Sequence, residues 1–248
     1  MALRSVLVSR MCVLIALGFS LSLAGVGSSA AGSSIRSYTD DALAHGFFST
    51  VFGIEHGGRE AGTFVKRYHQ PVRFGIENRS GPGRDKQVAK FIRSLPKLVP
   101  GLDARLARPG ETVNFMVHIV DRSSYASHVR NVAYGGSHGR VPGRCMVKVD
   151  FNRRGIERSD AFIVADDGEH LFQRCMVEEI LQGLGPMNDD DSLTDSVFND
   201  SSRHTRLMPF DRAIVAMLYD ERIKHGMSAK DVKPVLPGML DAVRRRVR

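Results

Sequence analysis

The stretch Glu178-Glu179-Ile180-Leu181-Gln182-Gly183-Leu184-Gly185-Pro186-Met187-Asn188-Asp189 has the residue types and spacing to do chemistry. Glu178 and Gln182 stand at i and i+4, on one side of a helix. Gly185 can adopt the left-handed conformation that ends a helix, and Asn188, three residues on, can swing back toward the same point. Three oxygen-bearing side chains are then expected to converge. One carboxylate and two neutral amide carbonyls make a hard, weak donor set that suits calcium or magnesium better than zinc. Glu179 lies about 100° round the helix from Glu178, so the two are neighbours rather than a facing acid and base.

Charge is distributed unevenly around this stretch. The chain has 248 residues, 35 Lys+Arg against 27 Asp+Glu and a net charge of +8. Residues 175–202 nevertheless hold seven acids and no Lys or Arg. That run reads either as an acidic cleft that attracts cations and basic peptide groups, or as helix-end acids followed by a solvated loop. Hydrophobic residues make up 42% of the chain, enough for a sizeable core and against wholesale disorder, collagen or a coiled coil. There is no Trp, aromatic residues are 7%, and no phosphate loop or Cys/His finger is present, which argues against a nucleic-acid partner.

The elements that must position the site can be read from hydrophobic spacing. Val72, Phe74 and Ile76 alternate as in a half-buried strand. Val88, Phe91, Ile92 and Leu95 then mark one face of a helix whose other face is basic (Arg84, Lys86, Lys90, Arg93) and which Pro96 and Pro100 should end. A second strand is expected over 112–120, a long loop over 121–144, a short strand from Cys145 to Asp150, and an all-apolar, hence central, strand from Ala161 to Ala165. The site helix is expected at about 168–185, opened by a capping-box-like Asp166-Asp167-Gly168-Glu169. A helical C-terminal subdomain follows at about 207–246, with helix starts at Pro209/Asp211 and Ser228/Asp231 and a basic tail from Arg244 to Arg248. Residues 32–68 read as an N-terminal extension to a domain spanning 69–248, and His45, His56 and His69 show no ligand spacing.

Residues 1–31 read as a secretory signal: Arg4 and Arg10, an apolar run from Met11 to Val26, and a small-residue cleavage site at Ser28-Ser29-Ala30-Ala31. Val26 stands where a lipid-anchored protein needs Cys, and no later segment is apolar enough to span a membrane. The expected product is a periplasmic or secreted protein with no stable membrane anchor after cleavage. Cleavage removes Cys12 and leaves Cys145 and Cys175, which read as one disulfide in an oxidising compartment or as two buried thiols.

The intervals around Glu178 resemble those of the metzincin zinc peptidases, His-Glu-x-x-His-x-x-Gly-x-x-His. Glu178, Gln182 and Asn188 stand at the three ligand positions, Glu179 at the general base and Gly185 at the turn. Ser196-Val197-Phe198-Asn199-Asp200 is similar to the methionine-containing turn beneath the metal, with Phe198 in place of Met. The chain also resembles the bacterial domain-of-unknown-function family numbered 2927, over roughly residues 65–230. That resemblance rests on Glu178 to Gly185, Asn188-Asp189, Ser196 to Asp200, Leu218-Tyr219-Asp220, Arg222-Ile223 and Gly226-Met227.

The metzincin resemblance implies an α+β, zincin-like fold: a mixed twisted sheet packed with a long site helix and followed by helices. It also implies Glu178, Gln182 and Asn188 as degenerate metal-ligand positions, with Glu179 at the base position. Without a strong Lewis acid to activate water, Glu179 has no activated nucleophile to deprotonate. No cofactor is therefore expected, with weak calcium or magnesium binding the alternative to none, and zinc is not expected. The reading is a non-catalytic domain that binds or scaffolds a peptide or an envelope component. Its alternatives are a hydrolase using Glu178 and Glu179 with a non-zinc metal or none, and a basic surface that docks on anionic envelope polymers.

Overall fold

The computed structural model describes residues 34–53 and 62–247. The leader expected at 1–31, Cys12 and His56 lie outside the described residues. The elements run α1 (Asp40–Phe52), β1 (Val72–Asn78), α2 (Asp85–Leu98), β2 (Ala104–Leu106), β3 (Phe115–Val120), α3 (Arg122–Ala133), β4 (Cys145–Asn152), β5 (Gly155–Val164), α4 (Glu169–Gln182), α5 (Pro209–Leu218), α6 (Ala229–Val232) and α7 (Leu236–Arg246). The fold is α+β. No helix among the described residues is long and apolar enough to cross a membrane.

One five-stranded mixed sheet in the order β2-β1-β3-β5-β4 organises the domain. β2, β1, β3 and β5 are parallel, and β4 closes one edge antiparallel to β5. Alternate residues of the central strands serve two cores. Phe74, Phe115, Val117, Ile119, Ala161 and Ile163 join the larger core, which includes α2, α4 and the C-terminal helices. Val120, Phe162 and Val164 join a smaller one with Tyr125, Val129 and Ala133 of α3. β5 is apolar from Ala161 to Val164 because both of its faces are covered there.

Several local expectations are corrected. The loop expected over 121–144 begins with helix α3, whose buried Tyr125, His128, Val129 and Ala133 follow helical spacing. Its apolar stripe is narrow because a polar residue, His128, occupies part of it. Pro96 lies within α2 rather than ending it, close enough to the C-terminus that its missing N–H removes only one bond of the last turn. Gly168, with φ near 101°, is the residue before α4, and no side chain caps that end. Arg84 is not a free surface cation: it donates to the Ala165 carbonyl at 3.3 and 3.2 Å, pairs with Glu169 and lies 4.6 Å over the Phe172 ring.

Residues 34–52 and 64–68 pack into the same core as the sheet. Ile35, Leu43, Phe47, Val51 and Val65 are buried in it, and α1 lies against α5 and α7. The 64–68 segment passes under the end of the site helix. Val65 exchanges backbone hydrogen bonds with Gly226 and Met227, and the Arg67 guanidinium donates to the carbonyls of Leu218, Asp220 and Ile223 at 2.9, 3.0 and 2.9 Å. Lys66 is fully buried, and burial pushes its ammonium down from 10.5 to about 8.

Lys66 makes a pH-dependent prediction. A folded-state value below the unfolded one means that the unfolded chain binds more protons between about pH 8 and 10.5, so stability rises with pH across that window. Relative to Lys66→Met, which does not titrate, the wild type should gain ~3 kcal/mol there. Urea unfolding of both proteins at pH 7.5 and pH 10.5 checks it, and a constant difference would contradict it.

Candidate functional site

α4 is an amphipathic helix with an unusual second face. Phe172, Cys175, Met176, Ile180 and Leu181 enter the core as their spacing requires, while Glu178, Glu179 and Gln182 are also buried, 5–6% exposed. These three side chains line a cavity of about 560 Å³ between α4 and the edge strand β4. Cys145 opens β4 and Cys175 sits one turn before Glu178. The two are joined by a disulfide, Cα–Cα 5.8 Å, which fastens the strand wall of the cavity to the helix wall.

The cavity's charge is set by Arg174, a residue that the sequence reading passed over. Arg174 lies four residues before Glu178 and donates to its Oε1 at 3.2 Å, as well as to the Asn199 carbonyl at 3.4 Å. It also lies 3.6 Å from Asp200 Oδ1. Its side chain is 18% exposed, and its Nε is buried with no hydrogen-bond acceptor. The i, i+4 interval to Glu178 was the signal available in the sequence. Arg144 and Lys148 reach the same cavity from the β4 side. The acid-only run of 175–202 is therefore met by cations from elsewhere in the chain, and the cleft is mixed in charge rather than acidic.

Glu178 and Gln182 both line the cavity, and Asn188 does not. Gln182 Nε2 donates to Asp189 Oδ1 at 3.0 Å. Asn188 instead turns toward α1, where its Nδ2 donates to the Ser49 carbonyl at 3.2 Å. A Cβ on Gly53, just past α1, would lie 2.3 Å from the Asn188 side chain. The amide thus closes the end of α1, and the neighbouring Asp189 takes the place facing Gln182. α1 is 139 residues away in sequence from this contact, which is why spacing within the motif could not reveal it.

Carboxylate oxygens of Glu178, Asp189 and Asp200 lie within 4.8 Å of one another, and so do oxygens of Glu178 and Glu179 together with the Cys145 sulfur. That sulfur is spent in the disulfide and offers no thiolate. Glu179 lines the same cavity.

The 196–200 turn packs against this site from the far side. Phe198 is fully buried in the core, its carbonyl accepts the Asp190 N–H at 2.8 Å, and the Asn199 side chain donates to the Asp191 and Leu193 carbonyls. Ser196 Oγ–H, Val197 N–H and Met208 N–H donate to the buried Asp211 carboxylate at 2.7, 3.2 and 2.9 Å. Asp211 thereby ties the turn to the start of α5 and, by accepting the Met208 N–H, makes the N3-to-N-cap half of a capping box. Burial pushes its carboxyl up to about 7, against the lowering effect of these three donors.

Gly185 makes the bend possible. Its φ is 136°, and an added Cβ would meet the Lys66 carbonyl oxygen at 2.3 Å. Gly185→Ala should cost about 2–4 kcal/mol, combining backbone strain with a clash against main chain, measured by chemical denaturation. Removing the guanidinium should be costly as well: Arg174→Ala should lose about 3–5 kcal/mol, and Glu178→Gln in the same chain should restore part of it. A double-mutant cycle with no coupling would refute the pair.

A family model described as a protein of unknown function, DUF2927, matches residues 40–238. Searches of curated proteins and of solved structures find no match.

Proposed function

The chain belongs to DUF2927, and from that premise we propose that it is an exported zincin-like domain whose cleft binds an extended peptide without cleaving it. The observation that carries this reading is the cavity itself: about 560 Å³, bounded on one side by edge strand β4 and on the other by the buried carboxylates of α4. Its size falls in the range of ligand pockets. An edge strand has an unpaired row of backbone donors and acceptors, which an extended peptide can join as an added strand. Glu178, Glu179 and Asp189 would then meet a basic side chain or amino terminus, while Arg144 and Lys148 meet carbonyl or carboxylate oxygens.

The donor chemistry speaks against zinc in this cleft. Hydrolytic zinc sites use three strong nitrogen, sulfur or carboxylate donors plus water. Here the first ligand position is a glutamate held by a guanidinium, the second is an amide hydrogen-bonded to Asp189, and the third faces α1. The zincin-like reading is supported by a site helix packed on a mixed sheet, by the bend at Gly185 and by the turn anchored through Asp211. Export is supported by the leader-like residues 1–31 and by the disulfide, a bond that persists in oxidising compartments.

A second reading rests on the closeness of Glu178, Asp189 and Asp200. Three carboxylates suit calcium or magnesium, and a hydrolase using Glu178 and Glu179 with such an ion would follow. One experiment separates the two. Blocked tetrapeptides with central Lys, Arg or Glu are titrated calorimetrically with and without calcium or magnesium, and the mixtures are then analysed for cleavage. The binding reading expects Lys and Arg peptides to bind intact and about tenfold or more weaker in Glu178→Gln. Cleavage that requires the cation and Glu179 would replace it with the hydrolase.

A further inference from the structure

The face of the sheet covered by α3 carries a second polar cluster, none of whose members lines the cleft. Glu77 of β1 and His118 of β3 are register partners, and His118 is in turn opposite Phe162 of β5. The three therefore lie in a row, and α3 adds His128 above it. Glu77 Oε2 lies 2.6 Å from His118 Nδ1 and 3.7 Å from His128 Nε2, and the two imidazole nitrogens are 3.1 Å apart. An ion bound tetrahedrally at 2.0–2.1 Å from nitrogen and oxygen donors holds them ~3.3 Å apart, and these three separations bracket that spacing.

The groups behind the donors hold them in orientation. His118 Nε2 faces Asp160 Oδ1 at 3.1 Å, and Arg158 clamps Asp160 with two hydrogen bonds of 2.7 Å. Arg79 donates to the other oxygen of Glu77 at 2.7 Å, and the Phe162 ring stacks on His118 at 4.6 Å with an 8° tilt. Both ring nitrogens of His118 face a carboxylate, Nδ1 that of Glu77 and Nε2 that of Asp160. The 2.6 Å approach of Nδ1 to Glu77 Oε2 is bridged by a proton or relaxed by a metal ion that both atoms bind.

We propose that Glu77, His118 and His128 bind one divalent cation of the zinc class. Two imidazoles and one carboxylate are the donor types that such ions prefer. The imidazoles are 5% and 9% exposed, whereas Glu77 is 32% exposed, so a fourth position faces solvent on the Glu77 side and takes water or a small ligand. The ion pins α3 to β1 and β3. It is independent of the cleft and of the reading given to it.

The test is a calorimetric titration of zinc chloride into the chelator-stripped full-length protein. One zinc per chain is expected, bound about tenfold or more weaker in Glu77→Gln and His128→Ala, about 10–100-fold weaker in Asp160→Asn, and unchanged in Glu178→Gln. A zinc-dependent rise in Tm should follow the same pattern. Circular dichroism checks the fold of each metal-free variant; Glu77, partly exposed, carries the test should His128→Ala not fold. Failure of the wild type to bind zinc, binding unaffected by Glu77→Gln, or binding abolished by Glu178→Gln overturns the proposal and leaves the cluster as a proton-sharing network.

Discussion

The Arg174–Glu178 pair is the contact on which the cleft depends. α4 buries two glutamates and a glutamine on a helix that must also anchor the core, and a buried carboxylate is tolerated only beside a compensating charge or donor. Arg174 supplies that charge from one turn away, and its guanidinium reaches onward to the Asn199 carbonyl and Asp200. The pair links the site helix to the turn beneath it, and Asp211 links that turn to α5. A chain of polar contacts thus spans three elements through an otherwise apolar core.

Around that chain the architecture is rigid for separable reasons. The disulfide holds β4 to α4, Gly185 lets the chain cross the Lys66 carbonyl with no side chain between, and Arg67 gathers the carbonyl groups at the end of α5. A cleft with fixed walls loses little ordering entropy when it is filled, which favours binding. The same sheet presents imidazoles on its other face, away from the motif where a zinc peptidase carries them.

The legible parts of the fold were those where one apolar period ruled a segment. β1, β3, α2 and the apolar face of α4 follow from alternation or from i, i+3, i+4 spacing, because each has one buried face and one partner layer. α3 escaped because His128 stands in its apolar stripe, and β2 because three residues, Ala104–Leu106, are too few to show a period. The Glu77–His118–His128 cluster escaped for a further reason: its members are 41 and 10 residues apart, on two strands and a helix, and no local spacing joins them.

By itself the sequence determined the site helix, the identity of its polar residues, the bend at Gly185 and the pair of cysteines available to cross-link, since each is encoded within a few residues. Tertiary structure alone decided that Asp189 rather than Asn188 faces Gln182, that three cations enter an apparently acidic cleft, and that two histidines meet a glutamate. Those outcomes depend on which distant elements pack together, and packing is set by the summed burial of the whole chain rather than by any one segment.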